Sequence, residues 1–288
     1  MPFPAGRIGV HLRPVERDLT ARMALAYAAG IGAFEPAYLD DAQPGGLRAL
    51  PFQCVSLEWP VLLSMREAVN DVLTPREAMR GVHAVQDSTF HRPMRVGDRL
   101  VTEGQLVSAR SVRAGALVAL RLVTRDRDSG EAVTSTWTTS IYRDVALVGD
   151  AASVAEPEPS RAEALSRPGS KAEVVAIPVA RQMPHVYSEC AEIWNPIHTE
   201  RSVALAAGLP DIILHGTATW ALAGLTLLRH YAGNDVSQLK RLSGRFSGLV
   251  APGDTIEVRH EPSAQGLVRF EVRTSKGELA MSHGAAWF

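Results

Sequence analysis

One stretch of this chain concentrates side chains that can handle protons: Tyr187-Ser-Glu-Cys-Ala-Glu-Ile-Trp-Asn195-Pro196-Ile197-His198. Imidazole is the side chain best matched to proton transfer near neutral pH. The residue before a proline is pushed toward extended backbone, so Asn195-Pro196 marks a turn. Pro196 can then open a helix, and the Ala/Leu-rich run from Ser202 to Ala207 predicts that it continues that far. His198 would sit in its first turn, with Ile193 and Trp194 holding bulk water away. Asn195 is either a local turn former or a group that orients water or the imidazole. Further on, His215-Gly216 opens a long apolar run. The first N–H groups of a helix have no partner inside it, and that end carries partial positive charge. A glycine there lets a ligand come close to the backbone.

Larger elements must hold these residues in place. An apolar helix is expected from His215 to Tyr231, with a counterpart from Pro60 to Leu73, and shorter helices around Tyr27 and Tyr187. Strand-like sequence follows each long helix: Arg99 to Leu106, Ala116 to Arg125 and Ala132 to Tyr142, then Thr255 to His260, Leu267 to Thr274 and Leu279 to Phe288. The two sets keep the same order. Phe90, Gly97 and Asp98 match Phe246, Gly253 and Asp254 at an offset of 156; Met23 and Tyr27 match Met183 and Tyr187 at 160. At that second offset Phe34-Glu35-Pro36-Ala37-Tyr38 faces Trp194-Asn195-Pro196-Ile197-His198. Such a period is too long for a solenoid and indicates a duplicated domain. The Pro-, Glu-, Ala- and Ser-rich segment 144–171 reads as the linker, which gives halves at 1–143 and 172–288. Helices followed by strands argue for α+β with an antiparallel sheet. One sheet wrapped around one buried helix in each half is a double hotdog.

Bulk properties narrow the function. Of the 288 residues 46% are hydrophobic and 21% charged, ordinary for a globular chain with a sizeable core. Thirty basic against 31 acidic residues leave a net charge of -1, with no basic run suited to nucleic acid. The two cysteines, Cys54 and Cys190, lie too far apart in sequence for a CxxC site and form no disulfide framework. No stretch has the length and apolarity of a signal peptide or membrane span, so a cytoplasmic location is expected. None of the nine histidines falls in a zinc-type spacing. Gly-rich dinucleotide loops, Walker sequences and GxSxG elbows are also missing, so neither a metal nor a cofactor is expected.

The site segment resembles the MaoC-like, (R)-specific enoyl-CoA hydratase/dehydratase family, hydratase 2. That family's signature runs from an aromatic residue to Gly-Asp-x-Asn-Pro-aliphatic-His, with Ala or Ser six residues later. Tyr187, Asn195, Pro196, Ile197, His198 and Ala204 match it. The resemblance continues through Leu209-Pro210 and His215-Gly216 to the Phe246…Pro252-Gly253-Asp254 turn. It covers most of the second half, and the first half only as a degenerate repeat. It implies a lyase of fatty acid metabolism acting on an acyl-CoA or carrier-bound acyl thioester. His198 would be the acid/base, Asn195 would orient water or His198, and the Gly216 amide would stabilise the enolate oxygen. Tyr187, Trp194, His215 and Arg245 would contact substrate; Arg241 and Arg245 are either partners for coenzyme A phosphates or solvated strand residues. Pairing of two copies is common for such folds.

The family's catalytic Asp falls at Ile193, and its Gly at Glu192. Isoleucine can neither accept a proton nor hold a water. Three substitutes stay open: a carboxylate from Glu192 or Glu189, a group from the other half or another subunit, or a reaction that needs one proton-transfer group. A thioesterase and a non-catalytic acyl-thioester-binding subunit also stay open. Tyr38 stands at the His198 position of the first half and reads as a packed aromatic. That half would then have lost its chemistry and would help to accommodate the acyl chain.

Overall fold

The computed structural model describes residues 2–69, 73, 74, 77, 80–154 and 167–288; residues 155–166, within the expected linker, lie outside it. The helices are α1 (Ala21–Gly30), α2 (Pro36–Leu39), α3 (Cys54–Val69), α4 (Met183–Cys190), α5 (Arg201–Ala206) and α6 (Gly216–Ala232). The first-half strands are β1 (Phe3–Pro4), β2 (Val15–Asp18), β3 (Gly81–Phe90), β4 (Arg99–Val112), β5 (Gly115–Asp126), β6 (Ala132–Arg143), β7 (Leu147–Val148) and β8 (Ala152–Ser153). The second-half strands are β9 (Glu173–Pro178), β10 (Arg241–Phe246), β11 (Thr255–Pro262), β12 (Leu267–Thr274) and β13 (Leu279–Trp287). Among the described residues no helix is long and apolar enough to cross a membrane.

The main sheet runs β2-β4-β5-β6-β3-β10-β13-β12-β11-β9, with β8 also paired to β4. Read outward from the β3–β10 seam, the two halves carry the same strand order, and each wraps its own long helix: the expected double hotdog. The seam itself is antiparallel, with Arg241 opposite Thr89 and Ser243 opposite Asp87. Neither seam strand is among those expected after the Gly-Asp turns.

Helix α6 is buried without a break from Ala218 to Leu228. A helix that is apolar all round belongs in the interior, where each fully buried Leu-sized side chain stabilises by about 1.5–3 kcal/mol. It stops at Gly233, whose left-handed backbone (φ +53°) lets its N–H reach the Leu228 carbonyl. Gly224 allows the 3-10 turn Pro51–Gln53, just before α3, to press against α6, because a Cβ there would collide with the Phe52 ring. The same Phe52 meets Trp220 edge-on at 5.8 Å.

Helix α3 begins at Cys54, six residues before the expected start at Pro60. Proline inside a helix removes one backbone bond and crowds the preceding turn. Burial of Val55 and Leu57 in the turn before it outweighs that cost. The helix expected from Pro196 to Ala207 is broken in two: a 3-10 turn at Pro196–His198 and α5 from Arg201.

The duplication extends to backbone detail. Residues 31–40 and 191–200 have the same burial pattern, position by position. Tyr38 and His198 are both buried, while Phe34 and Trp194 are both exposed. Gly32 and Glu192 share a left-handed backbone, φ +70° and +55°.

Candidate active site

The His198 ring is fixed by chain geometry on both sides. Asn195 has extended backbone, and its carbonyl accepts the His198 N–H at 3.0 Å, closing the 3-10 turn. The ring's Nδ1 lies 2.8 Å from the Ile213 carbonyl oxygen. A carbonyl only accepts, so Nδ1 carries the hydrogen and Nε2 is left as the basic nitrogen. Only 8% of the residue is exposed. Burial pushes its pKa down to about 4, against a small opposing effect of the Ile213 carbonyl. The ring is therefore neutral, with Nε2 unprotonated, throughout the physiological range.

His215 lies against it. The two imidazoles stack with centroids 3.7 Å apart and planes 24° from parallel. His215 Nε2 is 3.1 Å from Ser188 Oγ and 3.3 Å from the Ile193 carbonyl, while its Nδ1 is buried without a partner. Burial, and then the neighbouring His198, hold its pKa well below the ordinary value. Tyr187 packs on this ring at 4.9 Å, and its hydroxyl donates to Thr217 Oγ1 at 3.2 Å. Burial raises its pKa to about 12, so the phenol keeps its proton.

His215 is the N-cap of α6, and Gly216 is its first helical residue. The Gly216 amide thus belongs to the helix end that carries positive partial charge, one residue from the imidazole stack. A Cβ at Gly216 would meet the Phe246 ring at 3.0 Å, so glycine is also what lets Phe246 close over this end. Behind Phe246 stands His83 of the first half, ring to ring at 4.6 Å. His83 Nε2 lies 3.0 Å from the Val85 carbonyl and 2.9 Å from Thr138 Oγ1, and burial lowers its pKa to about 4.

Of the residues named from sequence, Tyr187, Asn195, His198, His215 and Gly216 come together. Glu192 does not join them: its carboxylate holds the Arg17 guanidinium of the first half. Glu189 accepts from the Trp194 indole at 3.2 Å. Trp194 is 55% exposed and screens nothing from water; buried Ile193, 4% exposed, fills that role and packs in the main core. Arg245 is exposed on β10 next to Phe246. Neighbouring strand residues face opposite sides, so it stands away from the Gly216 face. Arg241 is bound by both oxygens of Asp87, at 2.7 and 2.6 Å, and covers the Trp287 ring at 4.4 Å. It is a residue of the β3–β10 seam. Ser188, Thr217 and His83 were missed. The first two adjoin Tyr187 and Gly216; His83 is isolated in its strand and gave no signal. In the first half Tyr38 is buried and donates to the Asn234 carbonyl at 3.0 Å, a structural bond.

The MaoC like domain family matches residues 164–282, the segment that carries the imidazole stack. The second half is a MaoC-like domain. The first half, residues 7–136, matches the FAS1-like dehydratase domain region. The chain is 24% identical over 284 residues to the "Probable enoyl-CoA hydratase 2" of Dictyostelium discoideum, covering 96% of this chain and 92% of that one. It is 28% identical over 292 residues to the "3-hydroxyacyl-thioester dehydratase Y" of Mycobacterium tuberculosis, covering 97% and 95%. The solved MaoC-like dehydratase of Phytophthora capsici superposes with a TM-score of 0.83 at 20% identity, over 99% of this chain and 97% of that one.

Proposed function

We propose that this chain adds water to, or removes it from, an acyl thioester carried on coenzyme A or a carrier protein. The observation that carries the reading is the neutral His198 ring, held by the Ile213 carbonyl and stacked on the residue that caps α6. In this reading that ring is the base, and the Gly216 amide, at the helix start next to His215, is the donor to an enolate oxygen.

With Ile193 in place of the family's Asp, we assign both transfers to His198. His198 Nε2 takes a proton from water as the oxygen bonds to C3 of the enoyl thioester. The electron pair moves through C2 onto the thioester oxygen, which the Gly216 N–H stabilises. The imidazolium then returns the proton to C2. Dehydration is the same path reversed. The Asn195 side chain makes no cap bond and is assigned to the attacking water. Tyr187 packs on the His215 ring of the stack, and Trp194 is assigned to the rim. Glu192 is assigned to the Arg17 bridge. An open apolar groove of about 790 Å³ draws Ile31 and Phe34 from the first half and Met183, Leu222 and Leu225 from the second. Its lining reaches His230 and includes none of Asn195, His198, His215 and Gly216, so it stands apart from the imidazole stack.

Ile193 favours one other reading, a chain that binds acyl thioesters without turning them over. Hydration of crotonyl-CoA and longer enoyl-CoA esters decides between them. The lyase reading expects turnover that falls by about 10²–10⁴ in His198→Ala, with no free thiol released. Tight binding with no turnover, together with strong gain in Ile193→Asp, would establish the binding role. Thiol release would point to a thioesterase.

A further inference from the structure

A second constellation of ionisable groups lies at the opposite end of α6 from the imidazole stack. His230 occupies the last turn of that helix. Below it, Glu173 on β9 and His260 on β11 are direct cross-strand partners. Each of the three offers a ring nitrogen or carboxylate oxygen within 4.8 Å of the other two. His230 Nε2 and Glu173 Oε2 are 3.5 Å apart, and the two imidazole centroids are 4.8 Å apart. Ligands about 2.0–2.1 Å from a tetrahedral zinc ion stand roughly 3.3 Å from each other, so small rotamer changes complete the fit.

His260 is the informative member. It is fully buried, and its Nδ1 lies 2.8 Å from the Tyr231 hydroxyl. Its Nε2 has no partner at all. A buried polar atom left unsatisfied costs about 1–3 kcal/mol, so native structures normally give it one. A metal-bound imidazole characteristically has its second nitrogen fixed by an outer hydrogen-bonding group, here Tyr231. The C-terminal end of a helix also favours positive charge.

We propose that Glu173, His230 and His260 form a binding site for a divalent transition-metal ion of the zinc type, with Tyr231 orienting His260. Two imidazoles and one carboxylate suit zinc better than magnesium or calcium, which prefer oxygen alone. Three protein ligands leave one position for water. The ion ties the edge strand β9, with its exposed Val174 and Val175, to the end of the central helix. Sequence spacing conceals such a site because its ligands come from a strand, a helix and another strand, 57 and 30 residues apart.

The test titrates the tag-free, chelator-treated full chain with ZnCl2 by calorimetry, with MgCl2 in parallel. Wild type is expected to take up one zinc per chain, with a higher melting temperature, and no magnesium. Glu173→Gln combined with His230→Ala changes only exposed positions, so the fold is kept; this variant is expected to lose both the binding and the melting shift. Tyr231→Phe is expected to bind about tenfold more weakly. Absence of stoichiometric zinc binding by wild type would overturn the proposal, as would equal binding by the double variant.

Discussion

The imidazoles of His198 and His215 lie face to face, 3.7 Å between centroids. Two positive rings at that distance would repel, so both cannot be charged together; burial keeps His198 neutral, and burial followed by the neighbouring His198 keeps His215 neutral. The consequence is an imidazole that stays unprotonated well below the pH at which an ordinary histidine is half protonated, and that is a weaker proton acceptor than an exposed one.

That depression has a thermodynamic counterpart. The unfolded chain's imidazole titrates near 6.5, whereas His198 in the folded chain titrates at about 4. Between those values the unfolded state binds a proton that the folded state refuses. The stability from a neutral His198 is therefore complete above pH ~6.5 and is lost as pH falls toward 4, by about 2–3 kcal/mol. Urea unfolding of wild type and His198→Gln at several pH values reads this: the variant should lose less stability on acidification. Equal slopes would mean that the folded ring titrates normally. For the same reason kcat/KM for hydration should hold through pH 6 and fall only nearer 4 to 5.

Glu192 separates a structural from a catalytic reading of the missing carboxylate. Its backbone φ of +55° is a conformation that glycine adopts without strain, and its carboxylate bridges to Arg17. Glu192→Gly relieves the backbone while losing a partly exposed ion pair worth about 0–1 kcal/mol, so its stability should change by less than about 1 kcal/mol. Glu192→Ala keeps the strain and should be about 1 kcal/mol less stable than the Gly variant. Both should retain near-normal turnover. A loss of 10² or more in Glu192→Gly would instead identify Glu192 as the second proton-transfer group.

The seam between the halves depends on Asp87, which is 5% exposed and grips Arg241 through both oxygens. Removing one partner leaves a largely buried charge uncompensated. Asp87→Ala is expected to lower unfolding free energy by about 3 kcal/mol or more by chemical denaturation. The double variant Asp87→Ala, Arg241→Ala should lose less than the sum of the single losses. Additive losses would show that the two residues act independently.

The repeat, the fold class and the chemistry-bearing segment were legible in the residues themselves. Tyr187, Asn195-Pro196-Ile197-His198 and His215-Gly216 carry local rules: a proline that sets the turn, an apolar run that must become a buried helix, a glycine at its start. Those rules act over a few residues, so sequence displays them. The long strands after each Gly-Asp turn were readable for the same reason, through alternation along one segment.

What only tertiary structure decided is which distant groups meet. That Glu192 reaches Arg17, that His83 supports Phe246, that Arg241 serves the β3–β10 seam, and that His230 hangs over Glu173 and His260 all follow from strand register and helix placement. Pairing across a sheet is set by the sum of many buried contacts over the whole chain. No single stretch contains that sum, and a carboxylate's partner is chosen by it.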